Sequence, residues 1–158
     1  MIEKIKKQIL ESAAVKENMA EACVADMEAA AIIMIGCIKN GGKILWCGNG
    51  GSAGDAQHLA TELMGGMTSH DRKPIPSIAL TTDTSFLTAW ANDTDFESIF
   101  SRQVQGLGCE GDVLVGISTS GNSENVIAAV KQAKYKELKT IVFTGKSGGR
   151  MAGLADVT

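Results

Sequence analysis

The chain has 158 residues, of which 44% are hydrophobic, 21% charged and only 4% aromatic, with a formal net charge of −3. That is the length of one domain, with enough aliphatic material for one core. The acidic balance and the lack of a dense Lys/Arg block argue against nucleic acid or an anionic membrane as partner.

Apolar residues at Ile2, Ile5, Ile9, Leu10, Ala13 and Ala14 follow helical spacing, predicting a helix from Ile2 to about Ala22 with an exposed charged face. The run from Val24 to Lys39, containing AAAIIMIGCI, predicts a second helix buried on most sides, partly against another subunit, and ended by Gly41-Gly42. Beyond it the texture changes. KILWC (43–47), IPSIAL (75–80), DVLVGIS (112–118) and LKTIVFT (138–144) read as strands. Helices are expected over 53–65, over 84–106 in pieces broken near Asn92-Asp93, and from Ser123 to Tyr135, with a short helical piece after GKSGG. This alternation specifies an α/β fold, a three-layer α/β/α sandwich with a central parallel sheet, whose ligands bind at the carboxyl ends of the strands.

Cys23, Cys37, Cys47 and Cys109 show no C-x-x-C spacing, and three of them lie in apolar runs. Buried free thiols in a reducing compartment follow, and with no signal-like or spanning segment the expected location is the cytoplasm.

Two loops carry the chemistry. In CGNGGSAGD, Gly48, Gly50 and Ala53 match the dinucleotide fingerprint, but the next strand ends near Thr81–Asp83, about 30 residues on rather than about 20. A tight turn without ligand is one alternative; close backbone approach to another polar ligand, with Ser52 adding a hydroxyl, is the other. In GISTSGNSENV, Ser118, Thr119, Ser120 and Ser123 crowd a strand-to-helix turn around Gly121. Hydroxyls and helix N–H groups suit a phosphate, although simple capping would also use them. TGKSGG (144–149) lacks the earlier glycine of a P-loop, which leaves Lys146 as a surface or rim residue. His58 and Glu62, at i and i+4, share one helical face; they form an exposed contact, or a general base and half of a zinc site facing the ligand crevice. Asn92-Asp93 alone is a turn signal.

Together, CGNGGSAGDAQHLATEL, ALTTDTS, AND (91–93), FSRQVQGLG, EGDVLVGISTSGNSENV and TGKSGGRMAGLAD resemble the sugar isomerase (SIS) domain family and, within it, the phosphoheptose isomerases. The resemblance spans nearly all of residues 41–156 and implies one SIS domain over 1–158, with N-terminal helices over 1–40 and an α/β core over 41–158. It also implies conversion of sedoheptulose 7-phosphate to D-glycero-D-manno-heptose 7-phosphate through an enediol, feeding nucleotide-activated heptose for lipopolysaccharide core. By position, Asn49, Gly50, Gly51 and Ser52 line the sugar-phosphate site, Asn92 and Asp93 contact substrate, and Ser118, Thr119, Ser120 and Ser123 cradle the phosphate. Glu62 is the implied acid/base, and His58 with Glu62 the implied half of a Zn²⁺ site in a homotetramer with active sites between subunits. Family members continue with a strand and a helix carrying a glutamine and a histidine that complete the metal and acid/base set. This sequence ends at Asp156-Val157-Thr158, so the core is expected to be C-terminally incomplete, with apolar surface left bare. The rival readings are a non-catalytic sugar-phosphate-binding or assembly module and, further off, a dinucleotide-dependent oxidoreductase.

Overall fold

The computed structural model describes residues 1–158. Two helices, α1 (Ile2–Ala22) and α2 (Val24–Lys39), precede the alternating part. That part runs β1 (Ile44–Gly48), α3 (Gly51–Gly65), β2 (Ser77–Ala79), α4 (Thr84–Asp93), α5 (Ile99–Leu107), β3 (Val113–Ser118), α6 (Glu124–Tyr135) and β4 (Lys139–Thr144), and a 3₁₀ turn follows at Gly149–Met151.

All four strands are parallel, in the order β2-β1-β3-β4, with Ile44 opposite Ser77 and Val113, and Val113 opposite Lys139. Alternate side chains serve opposite faces. Ile44, Trp46, Val113, Val115 and Ile141 pack with Ala30 and Cys37 of α2 and Ala56 and Ala60 of α3. Leu45, Cys47, Leu114 and Val142 pack with Ile99, Phe100 and Val104 of α5 and Val126, Ile127, Val130 and Ala133 of α6. Coverage on both faces explains why β1 and β3 read as unbroken apolar runs. At the amino ends of the central strands, buried Asp112 accepts from the Lys43 N–H and ammonium and from the Cys109 N–H, tying β1 to β3. Burial alone pushes the Cys47 thiol up to about 12, so it packs as a small apolar group.

The structure corrects three expectations. Strand β2 is only three residues long, because Pro74 and Pro76 lack N–H groups; Pro76 contributes a carbonyl to the Ile44 N–H instead. Helix α3 starts at Gly51, two residues early. The break in the 84–106 stretch falls at 94–98, after Asn92-Asp93, which remain in the last turn of α4. Within one chain α2 buries only Ala30 and Cys37, whereas Val24, Met27, Ile32 and Ile35 are exposed, as are Ile5, Ile9 and Leu10 of α1, a surface left for a second subunit to cover if the expected assembly forms.

Past the 3₁₀ turn, Val157 bridges Ile141 in parallel along the free edge of β4. Beside that bridge lies an apolar groove of about 430 Å³, lined by Met19, Cys23, Met27, Phe143 and Val157 among others. No helix is long and apolar enough to cross a membrane.

Candidate functional site

Adjacent strands β1 and β3 send their carboxyl ends into helices on opposite faces, α3 into one layer and α6 into the other. The loops diverge at this end of the sheet, the place where open parallel sheets bind ligands. Both motif loops open onto it.

The loop after β1 turns sharply. At Gly48 a Cβ would lie 2.7 Å from the Ser52 carbonyl oxygen, so only glycine permits the first turn of α3 to close so near the strand. Gly50, Gly51 and Ser52 follow on that turn, with Gly50 and Gly51 exposed and Ser52 half-buried. Asn49 is fixed from across the crevice: its amide donates to Asn125 Oδ1 at 2.8 Å and accepts from Asn125 Nδ2 at 2.9 Å. Asn125 lies in the first turn of α6 and is only 4% exposed. This reciprocal amide pair makes one rigid unit of the two loops, and the sequence reading missed it. Its only sequence signal is an amide in the first turn of a helix otherwise buried through Val126, Ile127, Ala129 and Val130.

The loop after β3 holds the hydroxyls together. Ser118 Oγ lies 2.9 Å from Ser123 Oγ and 3.5 Å from Ser120 Oγ. Ser120 Oγ also accepts from the Asn122 N–H at 3.2 Å. Ser118 is buried, Ser123 half-buried, and Thr119 and Ser120 exposed. Ser123 stands at the N-cap of α6, yet its side chain makes no cap hydrogen bond; its hydroxyl is turned to Ser118 instead. Simple capping is therefore not what these serines do. First-turn N–H groups lie open toward a cluster of hydroxyls, a preorganised seat for an anion. Lys146 is exposed, as a rim residue should be.

His58 and Glu62 are differently placed. His58 Nε2 is 3.8 Å from Glu62 Oε1, with the imidazole 67% and the carboxylate 24% exposed. The sheet-facing stripe of α3 is Ala56 and Ala60. Each member of the pair lies two residues beyond one of these, about 200° around the helix. They also stand roughly 9 and 15 Å along the axis from Ser52. His58 is thus on the exposed side of α3, whereas the Glu62 carboxylate is largely covered at the flank of the buried stripe that Leu59 and Leu63 widen, and no hydrogen bond joins either side chain to the two loops. Asn92 and Asp93 are exposed at the end of α4, where the Asn92 amide donates to Asp93 Oδ1 at 2.9 Å, and no hydrogen bond joins them to either loop.

Comparison with known proteins resolves the class. The SIS domain family model matches residues 9–145. A phosphoheptose isomerase of Aromatoleum aromaticum is 51% identical over 156 residues, covering 99% of this chain and 78% of that protein. One of Aquifex aeolicus is 51% identical over 158 residues, 82% of its length. The chain belongs to the phosphoheptose isomerase family. The solved phosphoheptose isomerase of Francisella tularensis superposes with a TM-score of 0.94 at 41% identity, over 98% of this chain and 81% of that one. That of Neisseria gonorrhoeae gives 0.91 at 47% identity, over 98% and 80%. An enzyme of the sugar-phosphate isomerase class follows, and the dinucleotide reading of the glycine loop falls away.

The family resemblance also implied zinc. His58 and Glu62 are two donors where a tetrahedral site needs four, or three and a water, and no group of three or more His, Cys, Asp or Glu side chains converges anywhere. The residues of this chain do not by themselves fit the metal, and no step below passes through one.

Proposed function

We propose that this protein interconverts sedoheptulose 7-phosphate and D-glycero-D-manno-heptose 7-phosphate, in the cytoplasm, within the synthesis of nucleotide-activated heptose for lipopolysaccharide core. The observation that carries this reading is the uncapped hydroxyl turn 118–123, bridged by Asn125 to Asn49, in a chain of the phosphoheptose isomerase family.

In this reading the phosphate sits on the N-terminal end of α6 among Ser118, Thr119, Ser120 and Ser123. Asn49, Gly50, Gly51 and Ser52 then line the carbon chain, and Asn92 and Asp93 meet its hydroxyls. The reaction moves one carbon-bound and one oxygen-bound proton. A base takes a proton from C1 of the ketose and the electron pair forms the C1–C2 double bond of an enediol. The same proton returns to C2 while the hydroxyl proton passes from O1 to O2, leaving an aldehyde at C1. Glu62 is the base. Because Glu62 stands roughly 15 Å along α3 from Ser52, we assign it to the phosphate seat of a second copy, in a homotetramer with active sites between subunits. The exposed apolar residues of α1 and α2 support such an assembly. His58 orients the Glu62 carboxylate from 3.8 Å.

The distance of the pair from the hydroxyl turn also supports a second reading, that an isolated chain binds the sugar phosphate without turning it over. Turnover of sedoheptulose 7-phosphate by the 158-residue protein, compared with Glu62→Gln, separates the two. Conversion that depends on Glu62 supports the isomerase; binding without conversion by either protein supports the binding module.

A further inference from the structure

Behind the hydroxyl turn lies a second loop, residues 145–151, to which no role has been given. It clasps the turn through backbone. The Gly145 N–H donates to the Thr119 carbonyl, the Met151 N–H to the Gly121 carbonyl at 3.1 Å, and the Arg150 N–H to Asn122 Oδ1 at 3.1 Å. Gly121 has φ +65°, and a Cβ there would stand 1.9 Å from the Gly148 carbonyl oxygen, so the two loops interlock with no room for a side chain. The Asn122 amide then donates to the Ser120 carbonyl at 2.9 Å, carrying the clasp into the turn itself.

Arg150 does more than close the clasp. Its guanidinium forks onto Glu124, one nitrogen on each carboxylate oxygen, with Nη2 at 2.9 Å from Oε2. Glu124 is the first residue of α6, directly after the Ser123 N-cap. A carboxylate in that turn favours the positive end of the helix for itself and repels an arriving phosphate dianion. Paired to a guanidinium in a bidentate fork, it presents little net charge.

We propose that the Arg150–Glu124 pair is a positioning device for the phosphate seat: Arg150 cancels the Glu124 charge beside the incoming phosphate and holds the 120–124 turn against the 145–151 loop. The inference rests on the phosphate reading of residues 118–123. The same contact holds the Glu124 carboxyl below its ordinary range and raises Arg150, with the hydrogen bond between them as the leading cause, so the pair is fully ionised across the physiological range.

The test is a double-mutant cycle on the whole chain, with sedoheptulose 7-phosphate affinity measured by calorimetry at about 10 mM and about 150 mM salt, since screening tightens from about 30 to 8 Å over that range. Glu124→Gln leaves the Arg150 cation with only the more distant Glu97 carboxylate and should tighten binding up to about threefold at low salt; a misfolded variant cannot mimic this gain. Arg150→Gln exposes the carboxylate and should weaken binding about three- to tenfold at low salt, less at high salt. The double variant should return to within about twofold of the parent. Ser120→Ala with Ser123→Ala serves as the control. If that control weakens binding while both single variants bind as the parent does, the pair has no such role. If both singles weaken binding and the double is no better, Arg150 is merely structural and the inference fails. An unchanged control would instead overturn the phosphate reading beneath it.

Discussion

The two loops at the crevice are built in opposite ways. The hydroxyls of the turn after β3 all lie within residues 118–123. Its hydroxyls bond to one another, its helix opens uncapped behind them, and the 145–151 loop braces it from behind. The loop after β1 supplies backbone and Asn49 to the same crevice, but the acid/base candidates on its helix lie two to three turns further on. In the proposed reading, binding is local in this fold and chemistry is not. A phosphate seat needs N–H groups and hydroxyls from one turn, whereas proton transfer needs a carboxylate that a different surface brings in.

Substitutions can separate the two loops. The largest effect is expected from Glu62→Gln, which should lower kcat by about 10²–10⁴-fold, the usual contribution of a general base, while sugar-phosphate affinity stays near the parent value. Activity near the parent level would remove Glu62 from the chemistry. Ser120→Ala with Ser123→Ala should do the converse. Losing two hydroxyl donors to a charged group, each worth about 1.5–3 kcal/mol, should weaken binding by roughly 10²-fold or more in calorimetry. Asn125→Leu should fall between the loops. It strands the Asn49 amide that it now satisfies, so the Tm should drop by an amount corresponding to about 1–3 kcal/mol, and KM should rise because the glycine loop loses its anchor. A stable variant with unchanged KM would show that the two loops are held independently.

The smallest effect is remote from both loops. Burial alone would raise the Asp156 carboxyl, but hydrogen bonds from the Thr140 N–H and hydroxyl outweigh it and hold the group below its ordinary range. Its stabilising contribution is therefore full above the ordinary carboxylate pKa and is lost as pH falls through the depressed one. Acid titration of the Tm should show a slightly shallower limb in Asp156→Asn than in the parent protein; identical limbs would mean that the Thr140 contacts do not outweigh burial.

The difference between the loops also explains what could be read in the sequence. The strand-loop-helix units were legible because apolar runs, glycines and hydroxyls follow one another along the chain, and so was the hydroxyl seat, whose members lie within six residues. The Asn49–Asn125 bridge was not, because its partners are 76 residues apart and meet only when β1 and β3 pair. Nor was the Arg150–Glu124 fork, which depends on β4 lying beside β3. The spacing of His58 and Glu62 gave their shared face but not its direction, which depends on the sheet burying the Ala56–Ala60 stripe. The break after Asp93 was displaced because Asn92-Asp93 reads as a turn locally, while the helix capped by Asp83 continues through it.

Mixing two impaired proteins, assayed with substrate well below the KM of the serine variant, tests most directly whether Glu62 serves another copy's phosphate seat. Glu62→Gln retains an intact seat, and Ser120→Ala with Ser123→Ala retains an intact Glu62. After the two are unfolded and refolded together, turnover of sedoheptulose 7-phosphate should recover to about a quarter of the parent's at most, as expected when a seat from one copy meets Glu62 from another in random assembly. A mixture that forms mixed oligomers yet stays as impaired as its two components would place Glu62 and the seat it serves in the same chain, and would contradict the divided site.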